Sequence, residues 1–261
     1  MEHVNRTREN LRRLAGRRVL LTGAGSGIGR ACAQRLAADG AFVVVTDRDL
    51  DAARTTVELA GGADVVALVA DVADEASVAQ AVARGAQAAG GLDAVVTCAG
   101  VLQSAATHET SLDLWDLVLR VNLTGTFLPV RQCLPHLLAV GGGTIVTIGS
   151  IASVVAGGYA ACYDASKGGV LQFTRAVAAE YADRGIRANC VCPGGVTTGL
   201  KATSAQVTGP LQSAHAKWAD APMGRYADPA ELAAVVAFLC SDDSSFMTGA
   251  ALMVDGGFTG I

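Results

Sequence analysis

Short apolar runs alternate along this chain with amphipathic segments of helical periodicity, and the alternation repeats about seven times. The apolar runs are rich in β-branched residues, as is typical of parallel strands that are buried on both faces. We therefore predict an α/β fold, a single doubly wound parallel sheet of about seven strands with helices on both faces. The predicted strands are Val19–Leu21, Phe42–Thr46, Val65–Val69, Ala94–Thr97, Thr144–Ile148, Ile186–Val191 and Ala250–Val254.

The segments between the strands carry helix-starting signals. Asp49 and Asp228 can each cap the helical segment that they begin or precede, and Pro229 suits a first helical position. Asp74 and Glu75 are predicted to lie in the first turn of their helix. We predict mostly one long helix from Leu112 to Leu138. The other predicted helices are Arg30–Asp39, Asp49–Leu59, Asp74–Ala89, a helix that ends at Tyr181, and Pro229–Leu239.

Composition excludes several classes of protein. A net charge of −4 leaves no basic surplus for a nucleic-acid partner. No apolar run reaches the length of about 18 residues that a membrane span needs. The seven cysteines are scattered without a CxxC pair, so we predict no metal site and expect reduced, mostly buried thiols in a cytoplasmic protein. Cys190 and Cys192 are expected to point to one face of their strand.

The 261 residues suffice for one large α/β domain, which we place at 16–261. The Arg-rich start, Met1–Arg18, lacks an apolar core and is interpreted as a solvated extension, 1–15 in the domain division, rather than a signal peptide. A Gly-, Pro- and Ser-containing stretch at about 197–221 has poor periodicity and is predicted to be a mobile substrate loop.

A glycine-rich turn follows the first strand and precedes a helix. Gly23, Gly27 and Gly29 give the spacing GxxxGxG. This layout places backbone N–H groups and a helix N-terminus against a phosphate, although a tight turn without a ligand is also possible from the glycines alone.

Acidic residues follow the next two strands. Asp47, after the second strand, can accept both ribose hydroxyls of NAD and would repel a 2′-phosphate, while Arg48 would soften that repulsion. Ser26 stands where a basic residue would favour NADP, so we expect NAD rather than NADP. Asp71 either meets the adenine or serves only as a cap or turn residue.

Three polar residues surround the predicted fifth strand and the helix after it. Ser150 ends the strand, and Tyr163 and Lys167 are spaced to lie on one helix face. A nearby ammonium would lower the pKa of the phenol, which is what a general acid–base near neutral pH needs. The Tyr–Lys spacing alone is common on helices. Asn122 is unfavourable within a helix, which suggests either a specific hydrogen bond or a simple polar contact.

Together these residues resemble the short-chain dehydrogenase/reductase family from about Arg17 to Phe258. Thr22–Gly29 is similar to the family's TGxxxGxG motif, Tyr163–Lys167 to its YxxxK motif, and Pro193-Gly194 to its PG turn. Its catalytic tetrad corresponds to Asn122, Ser150, Tyr163 and Lys167. One departure is plain: the family usually has Asn-Asn-Ala-Gly where this chain has Thr97-Cys98-Ala99-Gly100, so the local hydrogen bonds must be made otherwise.

The resemblance implies a Rossmann-like fold and a mechanism. NAD would bind at Gly23–Gly29, and Lys167 would bond the nicotinamide ribose and lower the pKa of Tyr163. Tyr163 would exchange a proton with a secondary alcohol or ketone, Ser150 would hold the reacting oxygen, and Asn122 would anchor a water. The implied cofactor residues are Gly23, Ser26, Gly27, Ile28, Gly29, Asp47, Arg48, Asp71, Val72, Cys98, Ala99, Gly100, Tyr163, Lys167, Pro193, Gly194, Val196 and Thr198. The implied substrate residues are Ser150, Ala152, Tyr163 and Gly194.

The resemblance also implies a homotetramer formed through the long helices. Because the expected pocket walls are apolar or small, the substrate is predicted to be a mainly apolar, uncharged alcohol or ketone. The only cationic candidates are Lys201, His215 and Lys217. Two alternatives stay open: an NADPH-dependent 3-oxoacyl-[carrier protein] reductase, which would dock its carrier through Arg131, Arg175 and Arg184, and an inactive nucleotide-binding regulatory protein.

Overall fold

A computed structural model describes residues 13–62, 64–198 and 221–260 of the chain. It contains a parallel sheet of seven strands in the order β3-β2-β1-β4-β5-β6-β7, which confirms the predicted doubly wound architecture. The strands are β1 Arg18–Thr22, β2 Phe42–Asp47, β3 Val65–Val69, β4 Ala94–Thr97, β5 Gly143–Ile148, β6 Ile186–Pro193 and β7 Ala251–Val254.

Helices cover both faces of the sheet. They are α1 Gly27–Ala38, α2 Leu50–Ala60, α3 Glu75–Ala89, α4 Leu112–Leu119, α5 Gly125–Ala139, α6 Ala161–Tyr181 and α7 Pro229–Cys240. One apolar core cluster joins α1 and α7 to the sheet, for example through Leu36 and Leu232. The other joins α3, α5 and α6 to the opposite face, for example through Val82, Leu137 and Val177.

The predicted caps Asp49 and Asp228 are present, and Asp74, predicted in the first turn of its helix, is also a cap. The side chains of Asp49 and Asp74 accept hydrogen bonds from the first turns of α2 and α3. Asp228 forms a capping box with Glu231, and Pro229 is the first residue of α7. These caps satisfy N–H groups that have no partner within the helix, so the helices start where the short polar residues stand.

The predicted long helix from Leu112 to Leu138 is present, with an irregular turn at its centre. A π-helical turn, Arg120–Thr124, separates α4 from α5. Asn122 lies in this turn and is fully buried. A π turn inserts one residue into the helical repeat and is common near functional sites. Here it coincides with the buried amide side chain, which bonds outside its own helix.

The prediction of a solvated extension up to Arg18 is wrong from Leu14 onward. Leu14 is completely buried in the core, and its N–H bonds the Asp39 carbonyl. Arg17 pairs with Asp242, and Arg18 begins β1 and pairs with Asp93 at 2.7 Å. With the Arg13–Asp243 pair at 3.1 Å, the described part of the extension joins the fold through one apolar side chain and three ion pairs. The rest of the predicted extension, 1–12, and most of the predicted substrate loop lie outside the described residues.

Candidate active site

The glycine-rich turn between β1 and α1 is closely packed against the start of the loop after β4. Gly23 has a φ of +62°, and a Cβ there would lie 2.5 Å from the backbone of Ala99. A Cβ on Gly29 would lie 2.2 Å from the Gly23 carbonyl oxygen. Side chains larger than hydrogen therefore do not fit, and the backbone of the turn stays open to a ligand.

The N-terminus of α1 follows directly and suits an anion. The capping residue Ser26 is exposed, and its side chain makes no capping hydrogen bond. Gly27 and Ile28 open the helix, with Gly27 facing the Thr198 side chain. Unpaired N–H groups at a helix N-terminus bind phosphate well. The glycine cradle and this uncapped end fit the pyrophosphate of a dinucleotide.

Asp47 ends β2 beside the same turn. Its Oδ2 accepts a hydrogen bond from the Gly25 N–H at 2.9 Å, and its Oδ1 accepts one from Asp49 N–H at 3.1 Å. The helix that follows is capped by Asp49, so Asp47 is not its cap. Its carboxylate is therefore fixed against the glycine turn, where a ribose hydroxyl could bind. Arg48 is exposed.

The next predicted cofactor residues, Asp71, Val72 and Gly100, follow β3 and β4 and differ in their surroundings. Asp71 is exposed and accepts a hydrogen bond from Ala73 N–H at 2.9 Å, which is the turn role left open by the sequence. Val72 is buried against Gly125. At Gly100, a Cβ would lie 3.4 Å from Asn122 Oδ1 and 3.6 Å from Lys167 Nζ. The loop after β4 therefore brings the cofactor side and the catalytic side together.

The four predicted catalytic residues converge at this edge and are all buried. Asn122, Ser150, Tyr163 and Lys167 have exposed fractions of 0%, 6%, 6% and 5%. Ser150 follows β5, caps a short 3₁₀ helix (Ile151–Ser153) and hydrogen-bonds Tyr163. Ala152, in the same short helix, packs in one apolar cluster with Tyr163. The hydroxyl groups of Ser150 and Tyr163 can thus bind one substrate oxygen.

Lys167 is oriented differently from the prediction. Its Nζ donates a hydrogen bond to the Ile148 carbonyl at 2.8 Å and lies 5.8 Å from the centre of the Tyr163 ring. Burial lowers the pKa of Lys167. Burial also raises the pKa of Tyr163 to about 12, the Ser150 hydrogen bond opposes this rise, and Asp164 and Cys192 add to it. Burial therefore has the largest effect on the pKa of Tyr163 in this structure, and a lowering of that pKa by Lys167 stays a prediction.

The turn after β6 forms the opposite border of the site. Pro193 ends the strand, and the Gly194 N–H bonds the Val254 carbonyl at 3.0 Å. A Cβ on Gly194 would lie 2.8 Å from Asp255 Cα, so this close approach to the end of β7 requires glycine. Val196 is buried and pairs with Ala227. Thr198 lies at the start of the predicted substrate loop and is the last described residue before position 221.

Asn122 joins three separate segments of the chain. Its side-chain oxygen accepts from Val101 N–H at 2.8 Å, and its amide donates to the Val101 carbonyl and to Ser166 Oγ, each at 3.0 Å. Ser166 in turn donates to the Tyr163 carbonyl at 2.7 Å. The specific hydrogen-bonding role suggested for Asn122 is thus what the structure contains.

Replacing Asn122 with Ala is expected to lower the free energy of unfolding by about 3 kcal/mol. The change removes three buried hydrogen bonds and leaves Val101 and Ser166 without these partners, at about 1 kcal/mol for each bond. Chemical denaturation of both proteins measures this difference. Asn189→Ala is a matched control, because Asn189 is an equally buried amide that bonds Met247 and Ala250 far from Tyr163. If Asn122→Ala loses more activity than Asn189→Ala, the additional loss results from the change at the candidate site and not from lower stability.

Several supporting residues were missed in the sequence. Arg30 donates to the Gly25 carbonyl and to Thr56 Oγ1, and Thr56 donates to the Ala24 carbonyl at 2.8 Å. Ser153 donates to the Lys167 carbonyl at 2.8 Å, and accepts from Ser150 N–H. The hydroxyl groups of Thr56 and Ser153 were the available signal in the sequence. Their hydrogen-bond partners could not be predicted because they are distant along the chain.

Thr97-Cys98 stands where the family usually has two asparagines, and the Thr97 side chain makes no hydrogen bond among the described residues. Thr97 pairs in register with Thr22, and both hydroxyl oxygens are buried with no hydrogen-bond partner among the described residues. Cys98 lies beside Cys32, whose pKa is raised by a hydrogen bond with Cys98 and by burial. The local hydrogen bonds are made by the backbone, which pairs β1 with β4 and continues with the Cys98 N–H donating to the Thr22 carbonyl at 3.2 Å.

All seven cysteines are free, six of them buried, as predicted. Cys190 and Cys192 do point to one face of β6, with their sulfur atoms 3.8 Å apart. A Cβ on Gly149 would lie 2.7 Å from the Cys190 sulfur, so both thiols support the chain directly before Ser150. A hydrogen bond with Cys192 lowers the pKa of Cys190 to about 7.

Comparisons with known proteins agree with this geometry. Residues 23–259 match a family model described as enoyl-(acyl carrier protein) reductase. A 2-(S)-hydroxypropyl-CoM dehydrogenase of Xanthobacter autotrophicus is 38% identical over 95% of this chain and 99% of its own length. A cyclohexanol dehydrogenase of an Acinetobacter species is 40% identical over 92% of this chain and 94% of its own length.

Solved structures give the same result. The fold superposes on a crystal structure of a short-chain dehydrogenase/reductase from Burkholderia xenovorans with a TM-score of 0.88 and 36% identity, over 95% of this chain and 98% of the other. The chain belongs to the short-chain dehydrogenase/reductase family. It is an oxidoreductase that interconverts an alcohol and a ketone with a nicotinamide cofactor.

Proposed function

We propose that this protein is an NAD(H)-dependent dehydrogenase of mainly apolar, uncharged secondary alcohols, with Tyr163 as the general acid–base. The observation that carries the proposal is the buried group of Ser150, Tyr163 and Lys167, which adjoins the glycine turn through Gly100. The bound nicotinamide would supply or accept the hydride. The protein would align the alcohol carbon, exclude water and move the hydroxyl proton.

Each catalytic residue has a defined part in this proposal. The Tyr163 hydroxyl takes the proton from the alcohol, or returns it to the ketone. Ser150 binds the reacting oxygen through its hydroxyl. Lys167 bonds the nicotinamide ribose through its ammonium, while Asn122 holds the loop after β4 and anchors a water near Lys167. The remaining cofactor residues hold the dinucleotide along the glycine turn and the ends of β2, β3, β4 and β6.

The preference for NAD rests on Asp47. Its carboxylate is fixed by the Gly25 N–H beside the glycine turn, where a 2′-phosphate would meet a negative charge. We expect Asp47→Ser to reduce the NAD-to-NADP ratio of kcat/KM by about tenfold or more, which corresponds to about 1.4 kcal/mol. Initial rates with both cofactors on each variant measure the ratio. Asp51→Ser, an exposed change of equal charge on α2, is the control; an unchanged ratio in Asp47→Ser would contradict the assignment.

Support for an apolar substrate comes from the short loop after Ser150. Val154 and Val155 are exposed beside Ser150, with 48% and 40% of their surface accessible. One relative is named as a cyclohexanol dehydrogenase, and cyclohexanol is an uncharged secondary alcohol. The expected cationic residues Lys201, His215 and Lys217, together with Leu200 and Trp218, lie outside the described residues.

A screen tests the substrate class directly. Cyclohexanol and 3-hydroxybutyrate, one uncharged and one anionic secondary alcohol, are offered with NAD, and reduced nicotinamide is followed by its absorbance. Turnover of cyclohexanol with a higher kcat/KM is the expected result. Turnover of the anionic alcohol alone would overturn the substrate proposal.

The carrier-protein alternative requires basic residues at the cleft. Arg184 follows the carboxyl end of α6, about 30 Å along the helix axis from Tyr163 at 1.5 Å per residue. Arg131 is already paired with Glu75. These placements favour a free small molecule over a carrier-bound one. Retention of Tyr163 and Lys167 in a common buried site favours an enzyme over a nucleotide-binding regulator.

We also propose a homotetramer in the cytoplasm. Phe127 on α5 is partly exposed and contacts Phe173 on α6 edge to face, with ring centres 5.9 Å apart. Apolar surface on α5 and α6 is consistent with a tetramer that assembles through its long helices. Light scattering would test this proposal by measuring the mass of the assembly in solution. Seven free thiols suit a reducing compartment. In the part of the chain that is described, no helix has the length and apolarity to cross a bilayer.

A further inference from the structure

The side chain of Arg30 joins the glycine-rich turn to the neighbouring helix α2. Arg30 is the fourth residue of α1 and is partly buried. Its guanidinium donates one hydrogen bond to the Gly25 carbonyl and another, through Nε, to Thr56 Oγ1 at 3.1 Å. A single side chain on α1 therefore bonds the middle of the turn after β1 and the helix after β2 at the same time.

Thr56, on α2, extends this contact to the carbonyl before Gly25. Its side chain is completely buried, and its hydroxyl oxygen lies 2.8 Å from the Ala24 carbonyl and 3.2 Å from the Ala52 carbonyl. A hydroxyl group can donate one hydrogen bond and accept others, so Thr56 can bond Ala24 while it accepts from Arg30. The two successive carbonyl groups of the turn are thus held by one pair of side chains.

These bonds fix the directions of the N–H groups in the turn. In a planar trans peptide group, the carbonyl and the N–H that follows it point in opposite directions. With the Ala24 carbonyl held, the Gly25 N–H points the other way and donates to Asp47 Oδ2 at 2.9 Å. By the same geometry, the Ser26 N–H points away from the Gly25 carbonyl and from Arg30. The side chain of Arg30 therefore orients a donor at the uncapped start of α1.

The charge of Arg30 is unusually placed for a helix. It is the first charged residue of α1, and the first turn of this helix contains no acidic residue. A cation near a helix N-terminus is normally unfavourable, because that end carries a partial positive charge. The hydrogen bonds to the turn offset this cost, and a phosphate bound at the same end would compensate both positive charges.

We propose that Arg30 is a positioning residue for the dinucleotide, which holds the Gly25 peptide group so that the turn and the Asp47 carboxylate keep the shape that binds the adenosine ribose and the pyrophosphate. The inference rests on the proposed function and deepens it. In this role Arg30 acts through the turn rather than on the reacting atoms, so it affects cofactor affinity and not the transfer of the proton.

Arg30→Met tests the proposal, because methionine keeps an unbranched apolar stem and cannot donate a hydrogen bond. We expect the affinity for ADP-ribose, a probe with the adenosine ribose and the pyrophosphate but no nicotinamide, to fall about tenfold in calorimetry. The KM for NAD should rise by a similar factor, with kcat at saturating NAD within about twofold of the wild type. Arg30→Lys keeps the charge but lacks the planar fork that reaches two acceptors, so it should restore only part of the affinity.

Arg35→Met is the matched control. Arg35 lies on the same helix and pairs with Asp39 at 2.8 Å, so the change removes an equal charge and an ion pair away from the turn. We expect it to bind ADP-ribose as the wild type does. An affinity of Arg30→Met within about twofold of the wild type, or an equal loss in Arg35→Met, would overturn the inference.

The ADP-ribose titration separates this inference from the proposed function, because it requires no alcohol and no hydride transfer. A tenfold loss in Arg30→Met supports the inference whether or not cyclohexanol is oxidised. A wild-type protein that binds neither ADP-ribose nor NADH would contradict both. If Arg30→Met fails to fold, Thr56→Val removes the hydroxyl that bonds Arg30 and Ala24 while keeping the shape of the side chain. We expect it to weaken ADP-ribose binding about threefold, and an unchanged affinity would then overturn the inference.

Discussion

Replacing Tyr163 with Phe is expected to reduce alcohol oxidation about a thousandfold or more, as for the loss of a general acid–base. The ring stays in its buried place between Ser150 and the apolar residues around it, and only the hydroxyl is lost. Binding of NADH, measured by fluorescence titration, should stay within about twofold of the wild type, since a change of that size is under 0.5 kcal/mol.

Tyr181→Phe is the matched control. It removes a tyrosine hydroxyl from the last residue of the same helix, where Arg184 lies over the ring. We expect its kcat/KM to match the wild type. Turnover by Tyr163→Phe at the rate of the control would mean that the proton comes from another group, and the proposed mechanism would then be wrong.

Gly29→Ala is expected to have the largest effect on structure. Its Cβ would lie 2.2 Å from the Gly23 carbonyl oxygen and 2.8 Å from the Gly23 carbonyl carbon, both backbone atoms that cannot turn aside. The turn must open, which we expect to cost about 3 kcal/mol of the free energy of unfolding, as for overpacking at a rigid site. Affinity for NADH should fall by at least about tenfold, because the phosphate cradle loses its shape.

Gly168→Ala provides the contrasting substitution. Gly168 lies in the interior of α6, and a Cβ there would meet no atom within 4 Å. We expect it to stabilise the protein by about 0.5–1 kcal/mol through helix propensity. Chemical denaturation and fluorescence titration measure both variants. A Gly29→Ala protein that is as stable as the wild type and binds NADH with the same affinity would contradict the claim that this close approach requires glycine.

The strands and helix starts were predictable because their signals are local. Val65–Val69 and Ala94–Thr97 have the predicted bounds, since β-branched apolar runs end sharply at polar or small residues. Asp49 and Asp228 cap as predicted because capping involves only the next few residues. Asp74, predicted in the first turn, is the cap of its helix. The convergence of the catalytic residues at one edge of the sheet followed from the parallel topology.

The features that could not be predicted depend on interactions between distant parts of the chain. Helical spacing correctly placed Tyr163 and Lys167 on one face, but it could not show that the ammonium would bond a carbonyl of β5. The π turn at Asn122 depends on Val101 and Ser166, neither of which is near it in sequence. Leu14 was assigned to an extension because one leucine among arginines gives no periodicity.

The hydrogen bonds around Asn122 join the segments of the candidate site into one unit. The amide ties the π turn to the loop after β4 and, through Ser166, to the catalytic helix, while Ser153 ties that helix to the segment after β5. These pieces should move as a rigid unit, slow to exchange amide hydrogens. Val154 and Val155 project beyond it. If Tyr163 and its neighbours transfer the proton as proposed, mutations at Val154 and Val155 would change which alcohols are accepted and leave those residues in place.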